Sequence, residues 1–177
     1  MRSFIALEVP DELRKKIEIL QQQLAGLDVK LVEQQNLHFT LKFLGDVQEA
    51  ALEEVKDNIR KISSNFSPFN AVIKGVGVFP NTSYVRVVWL GCPDILPLQE
   101  SVESALSDLF KKEKPSPHLT IARVRSEHGK DKIQAFVEKN KGVEIGSFVA
   151  DRIKLKKSAL MPKGPVYEDI EVFKLCK

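Results

Sequence analysis
The phrase His-x-Thr followed by an aliphatic residue occurs twice, as His38-Phe39-Thr40-Leu41 and as His118-Leu119-Thr120-Ile121, about half a chain length apart. Each copy lies in an apolar, β-favouring run, Leu37 to Leu44 and Leu119 to Val124. The chain has only three His and three Thr, and two of each are spent on these phrases. Chance alone gives that coincidence roughly one time in a thousand. Side chains of a strand alternate between its two faces. Leu37, Phe39, Leu41 and Phe43 are therefore expected to share a core face, with His38, Thr40 and Lys42 on the other. Likewise Leu119 and Ile121 oppose His118 and Thr120. Each strand gives its sheet a dry back and an open His–Thr face. The fold this implies is two similar lobes facing each other across a pseudo-twofold axis, with both imidazoles in a central cleft.

The rest of the chain supplies the elements such lobes need. Strands are predicted over Arg2 to Val9, Val29 to Glu33, Ala71 to Phe79 and Tyr84 to Leu90, the last two as a hairpin turning through Pro80-Asn81-Thr82-Ser83. Ser147 to Leu160 reads as one long strand or a bent hairpin arm, returning through Met161-Pro162-Lys163-Gly164-Pro165 into Val166 to Leu175. Helical spacing of apolar residues marks Leu13, Ile17, Leu20 and Leu24, then Gln48 to Ile62, then Pro93 to about Phe110, and a short helix over Lys130 to Lys139. Short connections and strands that pair as hairpins make the class α+β: largely antiparallel sheet, with helices on the outer faces. Residues 1–177 are expected to form a single bilobal domain. Beyond the two phrases the halves share little sequence.

Composition narrows the setting. At 43% hydrophobic and 29% charged the chain can build a core and stay in solution. A net charge of +3 permits an anionic substrate without demanding one. Cys92 and Cys176 lack metal-type spacing, and the opening residues are too short an apolar run for a leader peptide. A cytoplasmic protein away from the membrane is expected. No carboxylate or Cys stands near either phrase at ligand spacing, so no metal or other cofactor is expected at them. His128 sits between Glu127 and Gly129 in a charged loop.

Two imidazoles with ordinary pKa values near neutrality can divide the work of a general acid and a general base. A hydroxyl two residues on, facing the same way, can donate to a phosphoryl oxygen. With no Ser or Cys placed as a covalent nucleophile, direct attack by water or by a substrate hydroxyl on a phosphodiester is the simplest chemistry.

These residues resemble the signature of the 2H phosphoesterase superfamily, and more narrowly the RNA 2′,3′-cyclic phosphodiesterases, historically called 2′-5′ RNA ligases. The resemblance runs through Arg2-Ser3-Phe4-Ile5-Ala6, the blocks Asn36 to Gly45 and Pro117 to Val124, the hairpin segments Gly75 to Pro80 and Arg86 to Trp89, and Lys156 to Tyr167. It implies metal-independent hydrolysis of an RNA 2′,3′-cyclic phosphate end to a 2′-phosphomonoester. His38 would be the proton donor, His118 the proton acceptor, and Thr40, Thr120 and Arg123 the phosphate contacts. Strict alternation puts Arg123 on the face away from His118, so it needs a bulge or a strand end to reach the cleft. Phe4 is a candidate to stack on a base, or else a core residue. Tyr84 and Arg86 are candidates to flank the cleft, and Trp89 is expected in the core. Arg152, Lys154 and Lys156 form a basic strand face, either an RNA-backbone path or a solvated edge. Two rival readings use the same residues: a nucleotide- or RNA-binding module without useful turnover, and 2′-5′ RNA ligation by the reverse reaction. Sequence symmetry alone does not say which histidine is the acid.

Overall fold
Antiparallel pairing organises the protein into two sheets, and each His-x-Thr strand goes to a different one. The structure, a computed structural model, describes residues 1–177. Its strands are β1 (Arg2–Glu8), β2 (Val29–Leu31), β3 (His38–Asp46), β4 (Phe69–Asn81), β5 (Tyr84–Gly91), β6 (His118–Val124), β7 (Glu144–Ala150), β8 (Arg152–Met161) and β9 (Gly164–Lys174). Its α-helices are α1 (Asp11–Gln21), α2 (Glu49–Asn65), α3 (Leu96–Ala105) and α4 (Lys130–Asn140). The first sheet has the order β3-β1-β8-β9 and the second β2-β6-β5-β4-β7.

The two orders superimpose once β2 is set aside. β3-β1-β8-β9 corresponds to β6-β5-β4-β7, and the runs β1-α1-β3-α2 and β5-α3-β6-α4 are two copies of one unit. The first helix of each unit crosses over. α1 follows a strand of the first sheet but packs on β6 and β7 of the second; α3 follows a strand of the second sheet but packs on β3 of the first. α2 lies on β8 and β9, and α4 on β4. The helices thus cover the apolar back of each sheet, and β3 and β6 lie against each other at the centre.

One apolar cluster of 42 buried residues runs through both sheets and all four helices. It takes Leu13, Ile17 and Leu20 from α1, Leu52, Val55 and Ile59 from α2, Leu98 and Val102 from α3, and Ile133 and Phe136 from α4. Leu13, Ile17, Leu20, Val55, Ile59, Leu98 and Val102 among them are residues whose helical spacing marked the first three helices in the sequence.

Among the boundaries that differ from the sequence expectations, three bear on the layout of the sheets. The third helix stops at Ala105, because the chain turns at Leu106 to bury Leu106 and lay Leu109 and Phe110 on the core. The run from Ser147 to Leu160 is two strands, not one. β7 pairs with β4 in the second sheet, Asp151 interrupts, and β8 pairs with β1 and β9 in the first. Alternation looks the same on either side of such a crossing, so periodicity does not reveal it. The β4–β5 turn is also tighter than expected, with strand pairing reaching Asn81 opposite Tyr84; the Asn81 side chain accepts from the N–H groups of Ser83 and Tyr84.

Candidate active site
Each motif strand breaks its alternation at the same place. In β3 the register against β1 skips Leu41, and in β6 the register against β5 skips Ile121. Each skipped residue is the aliphatic one ending the phrase, and an extra residue there reverses the phase of the residues that follow, in β3 as far as a second shift at Leu44. The burial patterns of His38–Leu44 and His118–Val124 are identical as a result. The fifth residue after each histidine comes out on the histidine's own face. That residue is Arg123 in the second copy, so the bulge it needs is present. In the first copy it is Phe43, expected in the core but 60% exposed and 6.2 Å from the Phe4 ring.

The same phase change turns Lys42 inward. It is 2% exposed, and its ammonium donates to both oxygens of Glu103 at 2.8 and 2.9 Å and to the Lys111 carbonyl at 3.0 Å. Glu103 in turn accepts from the Glu113 N–H at 2.7 Å. Lys111 and Glu113 belong to the segment leading into His118, so this buried pair fastens β3 to the approach of the other motif. The counterpart of Lys42 in β6 is Ala122, so the symmetry is broken here.

Two glutamines hold the bulges, and sequence reasoning missed both. Gln21, at the end of α1, donates to the Ile121 carbonyl at 2.8 Å and to the Val32 carbonyl at 2.9 Å. Gln99, in α3, donates to the Leu41 carbonyl at 3.3 Å. Both are buried. The crossing helices are what bring them to the opposite strand. A signal existed: each is an amide on an otherwise apolar helix stripe, beside Leu20 and Leu98.

The two histidines are oriented alike. Nδ1 of His38 lies 2.7 Å from the Asn36 carbonyl and Nδ1 of His118 lies 2.7 Å from the Ser116 carbonyl. A carbonyl only accepts, so each Nδ1 carries hydrogen and each Nε2 is left for chemistry. Nε2 of His38 is 2.9 Å from the Thr40 hydroxyl. His38 is stacked on Phe4 (5.0 Å between centroids) and stands edge-on to Tyr167 (5.4 Å, 87°). His118 stands edge-on to Phe79 (4.9 Å, 88°), with Trp89 6.3 Å away.

Burial pushes the pKa of His38 down from 6.5 to about 4. The Asn36 carbonyl and Glu8 work the other way, while Lys156 and Arg14 add to the depression. The ring is therefore neutral at neutral pH, and its Nε2 accepts from Thr40.

Phe4 is 3% exposed and serves as the floor under His38, so its face is already occupied. Trp89 is not a core residue. It pairs with Thr120 on the His118 side and lies flat across Gly77, where any Cβ would overlap the indole. Tyr84 and Arg86 face each other at the far end of β5, the guanidinium 5.7 Å from the ring, and touch neither histidine. The basic face of β8 is neither a free path nor an edge. β8 is an inner strand, Lys154 and Lys156 each pair with both Glu8 and Asp169, and Arg152 pairs with Asp151. Burial alone would raise Glu8 and Asp169, but the two lysines hold both carboxyls below their usual range.

Tyr167 is the other residue the sequence did not single out. Burial raises its hydroxyl, and the charges of Arg123 and Arg2 oppose that rise. Its ring stands edge-on to both Phe4 and His38. No group of three or more His, Cys, Asp or Glu is arranged to hold a metal ion, and the buried Cys92 thiol is pushed up to about 12 by burial. No helix is long and apolar enough to cross a membrane. The two strands offer two Nε2 atoms, two hydroxyls and an arginine. That set can move one proton to and one proton from a bound phosphodiester.

Comparison with known proteins identifies the family of the chain. The family of LigT-like phosphoesterases matches residues 7–89 and 92–167. A protein of Methanothermobacter thermautotrophicus named RNA 2′,3′-cyclic phosphodiesterase is 40% identical over 182 residues, covering 99% of both chains. One of the same name from Methanocaldococcus jannaschii is 40% identical and covers 97% of this chain and 99% of its own. Among solved structures, TT0787 of Thermus thermophilus superimposes with a TM-score of 0.83 at 29% identity, covering 99% of this chain and 98% of its own.

Proposed function
The chain belongs to the LigT-like phosphoesterases, and from that premise we infer that it hydrolyses RNA 2′,3′-cyclic phosphate ends to 2′-phosphomonoesters, without a metal ion, through His38 and His118. The observation that carries this reading is the matched pair of imidazoles. Each is fixed through Nδ1 by the carbonyl two residues upstream, leaving both Nε2 atoms to the cleft.

His118 takes the proton of a water molecule as its oxygen attacks phosphorus. The P–O3′ bond breaks, and His38 gives its Nε2 proton to the departing O3′. The phosphate stays on O2′. Thr40, Thr120 and Arg123 donate to the non-bridging oxygens, where negative charge builds up. Burial keeps His38 neutral near pH 7, so it acquires its proton along with the substrate. An anion beside the ring favours the charged form. Once protonated, Nε2 donates rather than accepts, and the Thr40 hydroxyl is released toward the phosphate.

The test is a short RNA ending in a 2′,3′-cyclic phosphate, incubated with the protein in EDTA. A 2′-monophosphate product is expected. A 3′-monophosphate would overturn the assigned leaving group, and bound but unchanged RNA would make the protein a binding module.

A further inference from the structure
The segment that delivers His118 to its strand belongs to no helix and no strand. Residues 111–117 make three hydrogen bonds. The Lys111 carbonyl accepts from Lys42 at 3.0 Å, the Glu113 N–H donates to Glu103 at 2.7 Å, and the Ser116 carbonyl accepts from Nδ1 of His118 at 2.7 Å. The approach to His38 is built differently. It is a short 3-10 turn, Gln34–Asn36, tied by the Asn36 amide to the Pro165 carbonyl, and His38 is hydrogen-bonded at both ring nitrogens. His118 is hydrogen-bonded through Nδ1 alone. Between the anchored Glu113 and His118 stand Pro115 and Pro117. Each fixes its own φ and restricts the residue before it, here Lys114 and Ser116. The link from the anchor to the Ser116 carbonyl is therefore stiff, and a displacement at residues 111–113 is passed on to the imidazole rather than absorbed.

We propose that the buried Lys42–Glu103 pair is the positioning device for His118, so that a lysine on the strand of the first motif sets where the histidine of the second motif stands. The proposal rests on the phosphodiesterase reading for the role of His118. Lys42 has three N–H donors, and all are spent, two on the Glu103 oxygens and one on the Lys111 carbonyl. Glu103 lies one helical turn after Gln99 on α3, and Gln99 holds the Leu41 bulge that turns Lys42 inward. One face of one helix thus fixes both the strand of His38 and the approach to His118. A buried ion pair is a poor source of stability, because apolar side chains of similar volume often do as well or better. What this pair supplies instead is direction, a donor and an acceptor aimed at two backbone groups of a segment that is otherwise unanchored. The matching position in β6 is Ala122, where no such device is needed, because the approach to His38 has its own turn and its tie to Pro165.

The double variant Lys42→Met/Glu103→Leu removes both ties with apolar side chains of similar volume and leaves every group assigned to the reaction in place. Two properties are measured: turnover of a short RNA ending in a 2′,3′-cyclic phosphate, and the tautomer of each neutral imidazole, read from its ring-nitrogen chemical shifts. The expected kcat falls by about 10- to 100-fold at little-changed KM. His118 passes from the Nδ1–H form to a mixture of tautomers, and His38 keeps its Nδ1–H form. Lys42→Met/Glu103→Gln, whose amide oxygen still accepts from the Glu113 N–H, regains part of the lost kcat. Pro115→Gly removes no hydrogen bond, because proline has no N–H, and carries the test if the double variants do not fold. It slackens the link and lowers kcat in the same direction. An unchanged kcat, or a His118 ring that keeps its Nδ1–H form, overturns the proposal. If the unmodified protein turns over no cyclic phosphate but the variants still release the His118 tautomer alone, the positioning role stands and the phosphodiesterase reading falls.

Discussion
Burial sets the proton affinity of His38, and that has consequences for both stability and turnover. Its pKa is about 4 when folded against 6.5 for an ordinary histidine. Between those values the unfolded chain binds the proton and the folded chain does not. Stability from this group is therefore complete above pH 6.5 and is lost as the pH falls toward 4. A gap of this size corresponds to about 3 kcal/mol. Urea midpoints at about pH 7 and about pH 4.5 should fall further apart in the natural protein than in His38→Gln. An equal fall in both would show that the ring is not held neutral. Turnover has a matching signature. The acid limb of kcat/KM, which reports the free enzyme, should lie at lower pH than that of kcat, because the anionic substrate raises His38. His38→Ala and His118→Ala should each lower kcat by about 10²–10⁴-fold with the circular dichroism unchanged. A variant that kept most of its activity would remove its histidine from the mechanism.

At the scale of the element, the bulges do what neither strand nor helix does alone. A plain strand would bury Arg123 and expose Lys42. One extra residue at Leu41 and at Ile121 reverses both outcomes, and the crossing helices supply Gln99 and Gln21 to the freed carbonyls. Gln99→Leu should cost about 1–3 kcal/mol in urea unfolding, because the buried Leu41 carbonyl loses its side-chain donor. Gln21→Leu should cost less, because the Ile121 carbonyl keeps the Val32 N–H at 3.0 Å. Gln21→Leu should also lower kcat/KM, since it loosens the bulge that turns Arg123 to the face of His118. The Lys42–Glu103 pair calls for a double-mutant cycle. Lys42→Met or Glu103→Leu alone leaves a buried charge without its partner and should cost about 3–5 kcal/mol. The double variant should recover most of that loss. Additive costs would mean that the two side chains do not act as a pair.

At the scale of the molecule, two sheets share one core, and α1 and α3 each bind the sheet opposite the one they follow. Neither lobe buries its apolar surface without the other. Unfolding is therefore expected to be a single transition for residues 1–177. Trp89, the only tryptophan, reports the second sheet, and the C2 proton of His38 reports the first. Their urea transitions should coincide. Separate midpoints would divide the chain into two domains.

The local chemistry of this protein is written in the sequence by itself. Alternation around His38 and His118 placed both phrases on strands, and helical spacing marked the four helices, because both patterns repeat over a few residues. The duplicated phrase was enough to call for two facing lobes. Tertiary structure alone decided the phase of β3 and β6 beyond the phrase. A bulge is a mismatch in length between two strands, and no single strand records it. That mismatch, rather than periodicity, sends Phe43 out, Lys42 in and Arg123 to the face of His118. Long-range pairing likewise split the run at Asp151 between two sheets and brought Tyr167 beside His38 from the other end of the chain. The neutral state of His38 belongs to the tertiary structure as well, because the desolvation that causes it comes from residues distant in sequence.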